Sequence, residues 1–388
     1  MRRQLTDSTT ITALLAAAML TAAPAALAVH PGDEDHAHAH EDKIELPSEE
    51  ELLKGKLLVG DSAPAINVTD WVNGDPVTGF ERGQVYVVEF WATWCGPCIR
   101  AIPHVNKLHE QYADKGVNII GVTSRDPNNS LEQVKALVDS RDDMTYRVAF
   151  DATRNTMGEY RNAAWNGGIP HAFIVNQDGK LAWHGHPMGM DAPLAQVAAG
   201  TWDIERAAAA QRVEAVRSGL QEYLMPRAQP LITEAGEAFR AGDVDKALEV
   251  SGKVVEMSRA AFGDIAMWRV QQMFATGKTT EANAEARLLA NESLTKYPDM
   301  LNRLAWMLAT GGFENADLTA AATAAKQAVK LTKEKDPDII DTLARVHAEL
   351  GELDKAIEWQ AKAVELATDE QSKATYQETL EGYRSNRG

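Results

Sequence analysis

Both cysteines of the 388-residue chain lie in one short stretch, Trp94-Cys95-Gly96-Pro97-Cys98. Ahead of them runs Val85-Tyr86-Val87-Val88-Glu89-Phe90-Trp91, β-branched and aromatic enough for a buried strand, and behind them an amphipathic, helix-like stretch. Any fold of this chain must therefore turn from strand to helix at Cys95. The free N–H groups and partial positive charge of a helix N-terminus stabilise a thiolate and lower its pKa from about 8.5 towards 7 or below. Cys95 is thereby marked as a nucleophile. Cys98, one turn further along, shares its side of the helix and is close enough to close a disulfide with it. Gly96 and Pro97 suit a first turn, where proline's missing N–H costs nothing. Pro103 should kink the same helix.

Two other uses of a cysteine pair fit less well. Tetrahedral zinc needs four ligands, and no second Cys or His pair stands at suitable spacing. A structural disulfide across two residues would restrict almost no chain entropy. A working redox pair is the expectation.

The run Phe90-Trp91-Ala92-Thr93-Trp94-Cys95-Gly96-Pro97-Cys98, followed by Pro103, resembles the thioredoxin superfamily, in particular its exported TlpA/ResA-like thiol-disulfide oxidoreductases. The resemblance implies an α/β thioredoxin-like domain, a mixed central sheet flanked by helices, over residues 57–200. It also implies an N-terminal hairpin ahead of the core; Val68 to Gly79 reads as a short strand with a turn at Asn73-Gly74. Val117 to Val122 and Tyr146 to Phe150 read as strands, and Leu131 to Val138 and Asn155 to Ala164 as helices, an alternation that gives a sheet with crossover helices.

Gly167-Gly168-Ile169-Pro170-His171 resembles the loop that carries the superfamily's cis-proline opposite the cysteines, which assigns that role to Pro170. Ile169 would then offer its N–H and C=O to a substrate peptide as a short β-pairing. Trp94, Gly96, Pro97 and His171 join Ile169 as expected substrate contacts. Either His171 tunes the Cys95 thiolate or it sits on the strand surface. Asp178-Gly179 reads as the turn into a last strand, Leu181 to Gly185.

An acid inside an apolar strand is costly unless it is hydrogen-bonded or functional, and burial raises its pKa. Glu89 is such an acid, and its offset from Cys95 matches the buried acid with which thioredoxins move the Cys98 proton. The alternative is a surface carboxylate at the strand's edge.

Arg2 and Arg3, an apolar stretch from Ile11 to Leu27 and a closing Ala26-Leu27-Ala28 read as an export signal over residues 1–28. No later segment approaches the about 18 apolar residues of a membrane span. The mature protein is expected to be soluble and extracytoplasmic, as in a periplasm. Residues 29–56 form an acidic, His-rich linker in which His36, His38 and His40 are weak candidates to bind zinc or copper loosely. A solvated tail without metal is the favoured reading. The net charge of -17 opposes nucleic-acid binding, because a phosphate backbone would be repelled.

From Thr201 to the end, alanine-rich amphipathic helices replace strands, with breaks expected near Pro226, Pro230, Pro298 and Pro337. Gly242, Gly277, Gly312 and Gly351 recur at near-constant spacing between paired helices. Gly242-Asp243-Val244-Asp245-Lys246-Ala247-Leu248-Glu249 returns as Gly351-Glu352-Leu353-Asp354-Lys355-Ala356-Ile357-Glu358, which resembles a tetratricopeptide repeat; the middle copies depart from it at Thr279 and Glu314. Residues 201–388 are therefore expected to form an all-α repeat domain that either docks a protein partner or only packs on the redox domain.

The implied chemistry is a protein-disulfide reductase needing no cofactor beyond the Cys95–Cys98 pair. Its partners would be disulfide-containing clients and a membrane electron donor of the thiol-disulfide type. Cys-Gly-Pro-Cys is the motif of reducing thioredoxins, near -270 mV, against about -120 mV for strong periplasmic oxidants. The alternatives are an oxidase or isomerase, or a repeat-based scaffold with an incidental thioredoxin-like domain. A peroxidase of related fold is disfavoured because Thr93 is one position too close to the cysteine and Ala92 holds no ring.

Overall fold

A computed structural model of the chain describes residues 44–161, 168–367 and 370–386. The export signal and the stretch with His36, His38 and His40 lie outside the described residues. The chain divides into two compact units, Glu49–Val216 and a second made of the described residues from Arg217 onward with residues 44–48.

In the first unit six strands form one sheet. In chain order they are β1 (Asp70–Asn73), β2 (Val85–Trp91), β3 (Val117–Ser124), β4 (Arg147–Asp151), β5 (His171–Val175) and β6 (Leu181–Gly185), in the spatial order β1-β4-β3-β2-β5-β6. β2, β3 and β4 run parallel, and β1, β5 and β6 are antiparallel to their neighbours. Every residue of β2 is buried, as expected of a strand covered on both faces. Alternation along it sends Val85, Val87 and Trp91 to one layer and Tyr86, Val88 and Phe90 to the other. The first layer also holds Cys95, Cys98, Ile102, Val105 and Leu108, from and beside the crossover helix Gly96–Tyr112. That helix continues past Pro103.

The expected N-terminal hairpin does not form. Among the described residues only β1 precedes β2, and it pairs with β4. The chain ahead of it lies instead along the far edge of the sheet, where Gly60 N donates to Leu181 O at 2.8 Å and Leu181 N donates to Asp61 O at 2.9 Å. Pro64, which has no N–H, stops that pairing from lengthening into a strand. One segment thus visits both edges of the sheet, forming the short edge strand β1 at one and pairing along β6 at the other.

The compact unit runs from Glu49 to Val216. It takes in the start of the helix Ile204–Arg240, whose Ile204, Ala207 and Ala208 pack on the second layer of the sheet. The helix Asn155–Arg161 covers the described part of the stretch predicted to be helical; residues 162–167 lie outside the described ones.

From Arg217 onward the described secondary structure is all helical. After Ile204–Arg240 come Val244–Met257, Gly263–Ala275, Thr279–Leu288, Pro298–Thr310, Leu318–Leu331, Pro337–Glu349, Leu353–Leu366 and Glu370–Asn386. Gly242, Gly277, Gly312 and Gly351 each fall between two of these helices with φ of 82°, 75°, 67° and 77°. Left-handed backbone at a helix end is where glycine is favoured. The expected breaks at Pro226 and Pro230 are absent: both lie inside Ile204–Arg240, where burial of Leu224, Ala228 and Ile232 outweighs a lost backbone hydrogen bond. Pro298 and Pro337 start helices rather than break them.

Candidate active site

Cys95 caps the helix Gly96–Tyr112, with Pro97 in the first turn, as the order Cys-Gly-Pro-Cys requires. The backbone N–H of Cys98 donates to Cys95 Sγ at 3.2 Å, so the sulfur itself takes up one of the helix's free donors. The two cysteines are joined as a disulfide, both almost fully buried. Across from them the Ile169–Pro170 peptide is cis, and Ile169 O lies 3.7 Å from Cys95 Sγ. Gly96 and Pro97 are exposed beside the sulfur, and Trp94 is 55% exposed. Ile169 is half-buried.

Two side chains that the sequence reading missed hold this loop. Trp94 Nε1 donates to Asp126 Oδ2 at 2.8 Å. Fully buried Asn129 accepts from Thr93 N–H at 2.9 Å and from Thr93 Oγ1 at 2.8 Å, and donates to Thr123 Oγ1 at 2.8 Å and Ser124 O at 2.7 Å. The strand end, the turn after it and the cysteine loop are therefore one hydrogen-bonded assembly. The only local signal is the helix start behind it, where Ser130 and Gln133 form a capping box.

Glu89 is 3% exposed and is no edge carboxylate. It alternates in register with Val87 and Trp91, which puts it on the layer that holds the cysteines. Its neighbours across the sheet are Gly121 on β3 and Ala172 on β5, neither of which fills the space beside the carboxyl. Burial pushes its pKa up to about 8.

His171 belongs to the opposite layer. It alternates with Ala172, and its ring packs on Phe173, a member of the second core. Its Nε2 lies 3.0 Å from His184 Nδ1, and His184 Nε2 lies 2.8 Å from Gln211 Nε2. Gln211 Oε1 in turn accepts from the N–H of Val59. A backbone N–H can only donate, so the roles follow in sequence: Gln211 donates to His184 Nε2, and His184 Nδ1–H donates to His171 Nε2. Burial and then His184 and His186 push His171 down to about 3, and burial pushes His184 down to about 4, so both rings are neutral at pH 7. His171 is therefore engaged behind the cis-proline, on the face turned away from Glu89.

The first unit combines a buried disulfide at a helix cap, a cis-proline loop against it and a buried acid on the same layer as the sulfurs. The AhpC/TSA family model matches residues 59–184. Protein FixW of Rhizobium leguminosarum is 31% identical over 173 residues, covering 43% of this chain and 76% of that protein. The thiol-disulfide oxidoreductase ResA of Bacillus cereus is 32% identical over 128 residues, 33% of this chain and 69% of that protein. The chain belongs to the ResA/FixW family of thiol-disulfide oxidoreductases. Among solved structures, a putative thiol:disulfide interchange protein DsbE from Chlorobium tepidum has 25% identity and a TM-score of 0.31, covering 38% of this chain and 99% of that one. The family model ends at residue 184, ahead of the helical unit.

Proposed function

We propose that this oxidoreductase works as an extracytoplasmic reductase of protein disulfides, and that its helical unit docks the proteins it serves. The supporting observation is the Cys95 sulfur itself, held at a helix cap by the Cys98 N–H and facing the Ile169 carbonyl. In the dithiol form the same cap favours a Cys95 thiolate. That thiolate attacks a client disulfide, forming a Cys95–client disulfide and releasing one client thiolate, which takes a proton from solvent. Pro170 and Ile169 align the client, with Trp94, Gly96 and Pro97 as the exposed rim. Glu89 as carboxylate then takes the Cys98 proton, and the Cys98 thiolate attacks Cys95 Sγ. The Cys95–Cys98 bond forms and the second client thiolate leaves, two electrons having passed to the client.

The reductase direction is supported by the Gly-Pro pair between the cysteines, which belongs with potentials near -270 mV. Two electrons must return from a donor, and for an exported protein that donor is a membrane thiol-disulfide carrier. No helix among the described residues is long and apolar enough to cross a membrane. The helix pairs with glycine turns support a tetratricopeptide-like array, whose faces suit protein docking. The test is a Cys98→Ala variant expressed with its signal: it is expected to accumulate mixed disulfides with exported proteins, and Cys95→Ser none. Equal capture by the two variants would contradict the reading.

A further inference from the structure

Trp91 Nε1 and Tyr146 Oη, two buried donors on the cysteine side of the sheet, have no partner among the described residues, and neither has His109 Nδ1 on the helix Gly96–Tyr112. A buried polar atom left unbonded is uncommon enough to require a reason. Their position supplies one. A Cβ placed on Gly121 would lie 3.0 Å from Trp91 Nε1 and 3.0 Å from Tyr146 Cε2, so both rings border the ground above that glycine. Gly121 is the parallel partner of Glu89, one strand spacing of about 4.8 Å away on the same face. The bare glycine leaves the way from the carboxyl to the two rings unobstructed.

We propose that Trp91 and Tyr146 are positioning residues for the resolving step, donating hydrogen bonds across Gly121 to the Glu89 carboxylate when it waits for the Cys98 proton. The inference rests on the reading of Glu89 as the base in that step. In the disulfide state Glu89 is mostly protonated at pH 7 and the two donors are idle. In the mixed disulfide the acid must be ionised to act: Glu89 carboxylate plus Cys98 thiol becomes Glu89 carboxylic acid plus Cys98 thiolate. An anion in a buried site needs donors, and charge-assisted hydrogen bonds from groups already in place meet that need without reorganisation. Glu89 also acts on Tyr146: burial first, and then the Glu89 charge, hold its hydroxyl well above the usual phenol range.

The other groups on this face fit the assignment. His109, whose ring lies 6.5 Å from that of Tyr146, is held below the usual imidazole range by burial and then by Arg147, and so adds little positive charge at pH 7. Arg141 and Asp143, ion-paired at 2.7 Å, act on Tyr146 in opposite senses. Among the described residues, that core layer also holds the Tyr112 phenol and the Cys95–Cys98 pair, and β3 and β5 face Glu89 with Gly121 and Ala172.

The test is a titration of the Glu89 carboxyl by carbon-13 NMR in the oxidised full-length protein, for the wild type, Tyr146→Phe and Trp91→Phe. Tyr160→Phe serves as control, since that hydroxyl donates to Pro64 O and its ring lies in the other layer. Losing one donor to the anion is expected to raise the midpoint by about one pH unit. The single-turnover rate of mixed-disulfide resolution at pH 7 should fall about tenfold, with its pH profile moved upward by the same amount. Tyr160→Phe should move neither. A midpoint unchanged in both Tyr146→Phe and Trp91→Phe overturns the inference. The reading of Glu89 as base is tested separately by Glu89→Gln, which should remove the pH-dependent limb of resolution. Should that limb persist, the base assignment falls, and the carboxyl titration still decides whether the two donors act on Glu89.

Discussion

Cys95 Sγ faces the carbonyl oxygen of Ile169 at 3.7 Å, which places the reactive sulfur against the cis-proline loop from a strand far along the chain. An extended client that pairs with Ile169 would carry its disulfide to Cys95. The bond to be exchanged is thus positioned by backbone, and backbone pairing is indifferent to most client side chains.

Glu89 gives the protein a pH-dependent stability of definite sign. Its folded pKa, about 8, lies above the 4.5 of an ordinary glutamate, so the folded state holds a proton that the unfolded chain releases. The resulting stability is fully present below pH 4.5 and is lost as pH rises through about 8. Between those limits the oxidised protein should lose stability by up to ~1.4 kcal/mol per pH unit from this group. Glu89→Gln should flatten that slope, and urea denaturation at a series of pH values measures it.

Asn129 should be costly to remove although it never touches sulfur. Asn129→Ala strips the Thr93 N–H and hydroxyl of their acceptor and Thr123 and Ser124 of a donor, all at or near buried positions. The expected loss is ~2–4 kcal/mol. Faster amide hydrogen exchange at Thr93 would show that the damage reaches the cysteine loop.

The repeat glycines should respond through backbone alone. Gly351 has φ of 77° and open space where a Cβ would stand. Gly351→Ala is expected to cost ~1 kcal/mol, and Gly351→Asn less, because asparagine tolerates the left-handed region. Thermal unfolding of the two variants gives the comparison.

The sequence made the chemistry easier to read than its supports. Cys95, Cys98 and Pro170 sit in short motifs whose neighbours set their geometry, and Glu89 is conspicuous as an acid in an apolar strand. Strand alternation also places it, because one strand carries both Glu89 and Trp91. Asn129, Asp126 and Tyr146 were not legible: each meets the site through residues distant in the chain, and nothing in their own vicinity announces it. The proline breaks failed for a related reason. A local rule ends a helix at Pro226, but the apolar side chains around it are buried by partners that only the tertiary fold supplies. The hairpin expected before β2 failed because the sheet offers two separate edges to the same segment.

Everything proposed for this protein requires that Cys95 and Cys98 exchange one covalent bond reversibly. The direct measurement is to equilibrate the purified protein in glutathione buffers from strongly oxidising to strongly reducing, alkylate it, and weigh it by mass spectrometry. A single transition is expected from no alkylated thiol to two, centred in the range of reducing thioredoxins, about -270 mV. A disulfide that stays closed throughout, or a pair of thiols that never joins, would contradict it.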